Sequence, residues 1–191
     1  NGDAQDGFGI FDLNQKDGVR WSSSRAFLHP VLGRPNLTVF ADALVERVRL
    51  QDRRAVGVTL RQHGQAIELD AGTEVVVCGG SVNSPQLLML SGVGPSEISK
   101  HGIRVVHELP GVGRNLHDHL ASPVHMLTDV PTSYGLSWRA LPRDAWRVAQ
   151  YLLMRRGPIA NNIFESAAFV RSAPGLDRPD LQLVFQPAKR P

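Results

Sequence analysis

Few side chains in this 191-residue sequence are arranged as chemistry would need them. His117-Asp118-His119, with His125 close behind, combine imidazole and carboxylate groups of the kind that hold zinc or non-haem iron. On a strand, His117 and His119 would share a face; on a helix, residues two apart diverge. The bland alternative is a loop braced by hydrogen bonds, which is the commoner use of such a cluster. Cys78, the single cysteine, ends an apolar run and reads as a small core residue. No Gly-x-Ser-x-Gly elbow occurs, so no nucleophilic set is complete.

Glycines give a second kind of candidate. Gly92-Val-Gly94 and Gly111-Val-Gly113 suggest a dinucleotide fingerprint, but Leu116 stands where the third glycine after Gly111 should be, and neither pair follows a long buried strand. Each reads as a turn or a helix stop. The segment from Glu74 is more specific. Glu74-Val-Val-Val-Cys78 is a continuous β-branched run, as in a strand covered on both faces. Gly79-Gly80-Ser81 then leads to Ser84-Pro85 and the apolar run Gln86 to Leu90, with Ser84 as cap, Pro85 in the first helical turn and Ser91-Gly92 as the stop. A strand, a glycine turn and a helix start place backbone N–H groups where anions and phosphates bind.

Periodicity defines the surrounding scaffold. Phe8 to Leu13 reads as a strand, and Ser22 to Ser24 cap a short helix over Arg25 to Leu28 that Pro30 stops. Strands are expected over Leu37 to Phe40, Leu44 to Leu50, Ala55 to Leu60, Ala66 to Leu69 and Glu74 to Cys78, the middle three forming a meander with hairpin breaks at Gln51-Asp52-Arg53 and His63-Gly64-Gln65. Pro95 to Gly102 predicts a short helix and Ile103 to Val106 a short strand. Pro142 to Met154 is an amphipathic helix ended by Gly157-Pro158, and Ile163 to Val170 and Leu181 to Phe185 are strands.

Composition bounds the rest. With 42% hydrophobic residues the chain can bury a core, and its length suits one domain or one and a half. No run approaches the roughly 18 apolar residues of a membrane span. One cysteine excludes an intramolecular disulfide framework and suits a reducing compartment. The net charge of +3 comes from scattered, not clustered, arginines and says little about nucleic acid, so no nucleic-acid partner is expected. The chain begins with Asn1 and ends soon after an apolar strand, as an internal piece of a longer protein would.

Gly80-Ser-Val-Asn-Ser-Pro-Gln-Leu-Leu-Met-Leu-Ser-Gly-Val-Gly-Pro95 closely resembles the second signature of the glucose–methanol–choline (GMC) flavin oxidoreductases. The flanking Arg34-Pro-Asn-Leu-Thr-Val39, Arg54-Ala-Val-Gly-Val58 and Leu109-Pro-Gly-Val-Gly-Arg-Asn-Leu-His-Asp-His-Leu120 agree in order. Asn162-Ile-Phe-Glu-Ser-Ala-Ala-Phe-Val-Arg-Ser172 resembles the choline-dehydrogenase branch. The family's amino-terminal Gly-x-Gly-x-x-Gly and its carboxy-terminal catalytic His are not in this sequence.

The resemblance implies an α+β piece, in which part of an FAD-binding domain with a β-meander joins part of an antiparallel-sheet substrate domain. Residues 1–17 and 122–191 would belong to the substrate domain and 18–121 to the FAD side. It implies FAD as cofactor and a small alcohol, choline-like, oxidised to an aldehyde by hydride transfer to the flavin. Val45 would lie near the adenine through its backbone, Gly79, Gly80 and Ser81 along the cofactor, and Glu165 against a quaternary ammonium; read from the residues alone, Glu165 is as well a solvent-facing residue of an alternating strand or a partner for Arg171. It places no catalytic residue and no metal ligand in this chain, which alone is expected to be inactive. A cytoplasmic location is implied, with peripheral membrane association open. The rival reading from another class is a stand-alone binding module without redox activity.

Overall fold

The computed structural model describes residues 6–126, 138, 140–162 and 164–187; Ile163, at the start of an expected strand, lies outside them. The chain divides into two compact units, one of residues 38–122 and one of residues 1–37 with 123–191. Residues 18–37, expected with the meander, cluster instead with the second. Helices and separate small sheets make the fold α+β.

In the first unit, β4 (Ala43–Gln51), β5 (Arg54–Gln62) and β6 (Gln65–Asp70) form the meander, antiparallel in the order β4-β5-β6. Both hairpins turn on two residues of positive φ, Asp52 and Arg53 at 49° and 65° and His63 and Gly64 at 49° and 81°, the twist that two-residue hairpins require. The register sets Val48 against Val58 and Leu60 against Ile67, with irregularities between Val45 and Arg47 and between Arg49 and Leu50. Val48 and Leu60 are buried, and Arg61–Glu46 and Arg49–Asp70, each at 2.7 Å, brace the exposed surface.

Helix α1 (Gly80–Leu90) packs on β4. The join is chemical as well as apolar: the buried Ser91 hydroxyl donates to the Leu87 carbonyl at 2.6 Å and accepts the Val48 N–H at 2.8 Å. Gly92, at φ +86°, ends the helix, and a side chain there would strike the Arg104 carbonyl. The chain then forms β7 (Val93–Gly94), a 3-10 turn over Ser96–His101 with Ile98 buried, and β8 (His107–Glu108), parallel to β7.

Four expected elements are corrected. Glu74 to Cys78 pairs with no strand among the described residues, and Cys78 is exposed, not core. A parallel strand exists through its neighbours, and its β-branched run cannot supply them. The helix begins a turn earlier than Pro85, which lies inside it. As the sixth helical residue, Pro85 removes only one of the first intrahelical bonds, so the helix tolerates it. Leu37 to Phe40 and Ile103 to Val106 form no ladder among the described residues; after Ile103 to Val106 the pairing falls one residue later, at β8.

In the second unit, β1 (Gly7–Ile10), β9 (Ser166–Val170) and β10 (Leu181–Phe185) form an antiparallel sheet with β9 central. Ala168 at its middle is 1% exposed. A hairpin of β2 (Gln15–Lys16) and β3 (Val19–Arg20) turns on Asp17-Gly18, a sequence signal for such a turn that strand periodicity, with only two residues on each side, does not register. Ser24–Leu28 and His29–Val31 are short helical turns running through Pro30, and the Ser22 hydroxyl accepts the Arg25 N–H at 3.4 Å. Helix α2 spans Leu141–Met154. The loop from β9 to β10 is closed by Asp180, whose carboxylate accepts the Ser172 N–H at 2.8 Å and its hydroxyl at 2.5 Å.

Candidate functional site

Val45, Gly79, Gly80 and Ser81 all fall in the first unit, Val45 on one of the two elements that Ser91 joins, Gly80 and Ser81 on the other and Gly79 just ahead of it. Val45 lies on β4, an edge strand, opposite Leu60 and beside the irregularity that comes after it. An edge strand keeps backbone groups on its outer side for something other than a ladder.

At the other end of α1, the chain enters the helix from the segment 74–78, which forms no strand. Gly79 is crowded: a Cβ there would come within 3.1 Å of the Asn83 Cβ and 3.2 Å of the Ser84 nitrogen. Gly80 differs. Its φ is +82°, a conformation that L-residues disfavour, and a Cβ would meet nothing within 4 Å. The turn therefore needs glycine at 79 for closeness to the helix and at 80 for its backbone angle, with open space over it. No side chain caps this helix start and no acid sits in the first turn. The first N–H groups of any α-helix lack intrahelical partners and sit at the positive end of its dipole, a setting that favours an anionic group.

The remaining candidates separate. In the loop at 117–119, the Asp118 carboxylate accepts the His119 N–H at 2.7 Å, a local brace. Among the described residues, no three His, Cys, Asp or Glu side chains are grouped as metal ligands. Glu165 belongs to the second unit, half-buried just ahead of β9, and its carbonyl accepts the Phe11 N–H at 3.3 Å, one rung beyond the β1–β9 ladder. Arg171, a candidate partner for Glu165 in the sequence, is bound to Asp6 at 2.8 Å. Sequence reasoning misses Ser91, which reads there only as part of a helix stop. A serine one turn beyond Leu87 could have signalled bonding back to that carbonyl.

The family model of the GMC oxidoreductases matches residues 1–121, which include the whole of this strand-side turn and helix. The chain belongs to the GMC oxidoreductase family. Over 191 aligned residues it is 45% identical to an alcohol dehydrogenase [acceptor] of Pseudomonas putida, covering 98% of this chain and 34% of that protein. Mitochondrial choline dehydrogenase of Homo sapiens is 42% identical over 190 residues, 99% of this chain and 32% of that protein. An FAD-dependent oxidoreductase from Chaetomium thermophilum, solved with a bound fragment molecule, superposes with a TM-score of 0.70 at 25% identity, over 80% of this chain and 28% of that one. This GMC chain thus spans about a third of the length of the curated relatives it matches. No helix among its described residues is long and apolar enough to cross a membrane.

Proposed function

We propose that this chain is the middle part of a flavin-dependent oxidoreductase that converts a small alcohol, choline-like, to an aldehyde. The observation that carries the reading is the turn at Gly79-Gly80-Ser81, an uncapped helix start with open space over Gly80, within the stretch matched by the family. These residues fit FAD: first-turn N–H groups suit a phosphate-bearing cofactor, and the edge strand at Val45 has backbone groups suited to a base. Bound FAD would supply the two-electron oxidation, accepting the hydride of the alcohol. The chain's own residues bind and orient: Gly80 keeps the approach clear, Ser81 and its neighbours offer N–H donors, and Val45 offers its backbone. On this reading residues 38–122 serve the cofactor and the β1-β9-β10 unit serves the substrate. The segment holds neither the Gly-x-Gly-x-x-Gly loop nor a catalytic base and by itself turns nothing over. The single thiol suits a cytoplasmic setting.

The full-length protein is expected to purify yellow with about one FAD per chain and to oxidise an alcohol with an artificial acceptor, while the 191-residue segment does neither. Gly80→Val in the full-length protein should lower flavin content; unchanged flavin content and melting temperature would remove the contact. The same reading gives Glu165 the task of facing a quaternary ammonium, which cannot donate hydrogen bonds and is matched by a carboxylate. Glu165→Gln should raise KM for a cationic alcohol by about tenfold, equivalent to ~1.4 kcal/mol, and hardly alter that of a neutral alcohol of similar size. Equal small effects on both would leave choline without support.

A further inference from the structure

Val45 and Val48 lie three residues apart on β4, yet their side chains belong to the same face of the meander. Val48 stands opposite Val58 and Val45 opposite Leu60, and Val58 and Leu60, two apart on β5, share a face. The step from Val45 to Arg47 on β4 answers a single step from Leu60 to Thr59 on β5, so Glu46 is one residue more than the ladder needs. It is the extra residue of a β-bulge, a device enriched at sheet edges and beside active sites, and β4 is an edge of this sheet.

The bulge decides where the backbone of Val45 points. In an antiparallel ladder, pairs that exchange both hydrogen bonds alternate with pairs whose N–H and C=O groups point away from each other. The Val48 N–H is given to the Ser91 hydroxyl at 2.8 Å, so Val48 and Val58 are a pair of the second kind. Counted along β5, Thr59 with Arg47 is of the first kind and Leu60 with Val45 again of the second. Val45 therefore turns its N–H and C=O to the outer edge of β4. In an unbroken strand fixed at Val48, Glu46 would do so instead. A further strand would need such groups at every second residue, and here the spacing is broken and the Val48 N–H is taken. A lone N–H beside its own C=O suits the edge of adenine, where a ring-nitrogen acceptor adjoins an amino donor.

Two side chains at the end of β5 hold the strand on either side of Val45. Arg61 donates to both Glu46 carboxylate oxygens, at 2.7 and 3.4 Å, and to the Gly64 carbonyl at 3.1 Å, which ties the bulged residue to the next turn. Gln62 donates to the Ala41 carbonyl at 2.7 Å, just ahead of the strand. A guanidinium fork on a carboxylate fixes direction as well as distance.

We infer that Glu46 and Arg61 are positioning residues: their ion pair seats the bulge that aims the Val45 N–H and C=O at the adenine of the cofactor and so makes the site selective for that base. This role rests on the flavin reading, and reconstitution of the full-length apoprotein with FAD and with its hypoxanthine analogue tests the two separately. Hypoxanthine carries a ring N–H and a carbonyl where adenine carries an acceptor and a donor, so both contacts become repulsive. The natural chain should bind FAD about tenfold more tightly than the analogue. Glu46→Ala and Arg61→Ala should each lower that preference about fivefold, equivalent to ~1 kcal/mol, by weakening FAD and not the analogue. Glu46→Arg with Arg61→Glu should restore it. A natural chain that binds both dinucleotides equally, a preference unaltered in the single variants, or a double variant no better than the singles would overturn the role and leave the flavin reading standing. So would equal losses for FAD and the analogue, which would make the ion pair merely structural. An apoprotein that takes up neither dinucleotide would remove the flavin reading and the role with it.

Discussion

The two units use a three-stranded antiparallel sheet to opposite ends. In residues 38–122 the sheet turns an inner side to its own helix: Val48, Leu60 and Ile98 are buried, and Ser91 bonds α1 to β4. In the β1-β9-β10 sheet only the small central Ala168 is fully covered, while Phe8, Ile10, Leu183 and Phe185 remain exposed. The alternation of β1 and β10 puts those four side chains on one face with Ala168. One sheet is thus covered by the helix next in the chain, and the other leaves its apolar face uncovered within this segment, which spans about a third of the length of its relatives. Strand content alone does not tell a covered sheet from an uncovered one; the element lying against the inner face does.

That contrast can be broken by substitution. Leu60, 3% exposed, should lose ~2–5 kcal/mol of stability as Leu60→Ala, whereas Leu183, 50% exposed, should lose within ~0.5 kcal/mol, both read by urea unfolding. Equal losses would mean that the outer face of the second sheet is covered after all. The join between α1 and the meander is sharpened by Ser91→Ala, which strands the Val48 N–H in a buried position and should cost ~1–3 kcal/mol. Ser91→Thr keeps the hydroxyl, so recovery there would assign the loss to the hydrogen bonds and not to packing.

The smallest effect concerns the open unit. Hydrogen bonds from the Ser172 hydroxyl and then from its N–H hold the Asp180 carboxyl below the ordinary carboxylate range. A depressed folded-state pKa makes the brace fully effective above the unfolded value of ~3.9, and its contribution disappears as pH falls through the folded value. The melting-temperature gap between the natural chain and Asp180→Asn should therefore be present at neutral pH and close on acidification. A gap that stays constant below pH ~3 would show that the carboxylate charge contributes nothing to the loop.

The sequence was most informative where an element is set by its own residues. The meander is legible because alternation and two-residue turns act locally, and the apolar stripe of α2 places that helix within one residue of its observed start. Glu74 to Cys78 misled because its β-branched residues describe an environment, covered on both faces, that depends on other strands. Pro85 misled because the rule for the first helical position ignored the glycine pair that opens the helix earlier. The glycine pair at the start of α1 was legible from residue type, but periodicity cannot reveal a hydroxyl shared between two elements, so Ser91 became visible only in three dimensions.

The pairing of β1 with β9 also sets a timetable. Ile10 lies opposite Ser166, so a ribosome must add 156 residues after the first strand before its partner exists. At roughly 5–20 residues per second that wait lasts about 8–30 s. Hairpins such as those joining β4, β5 and β6 close in about 1–10 μs, so the meander can form while β1 still waits for β9. Phe8 and Ile10 therefore spend the whole interval without Ala168 and Ser166, the neighbours that they face across the finished ladder.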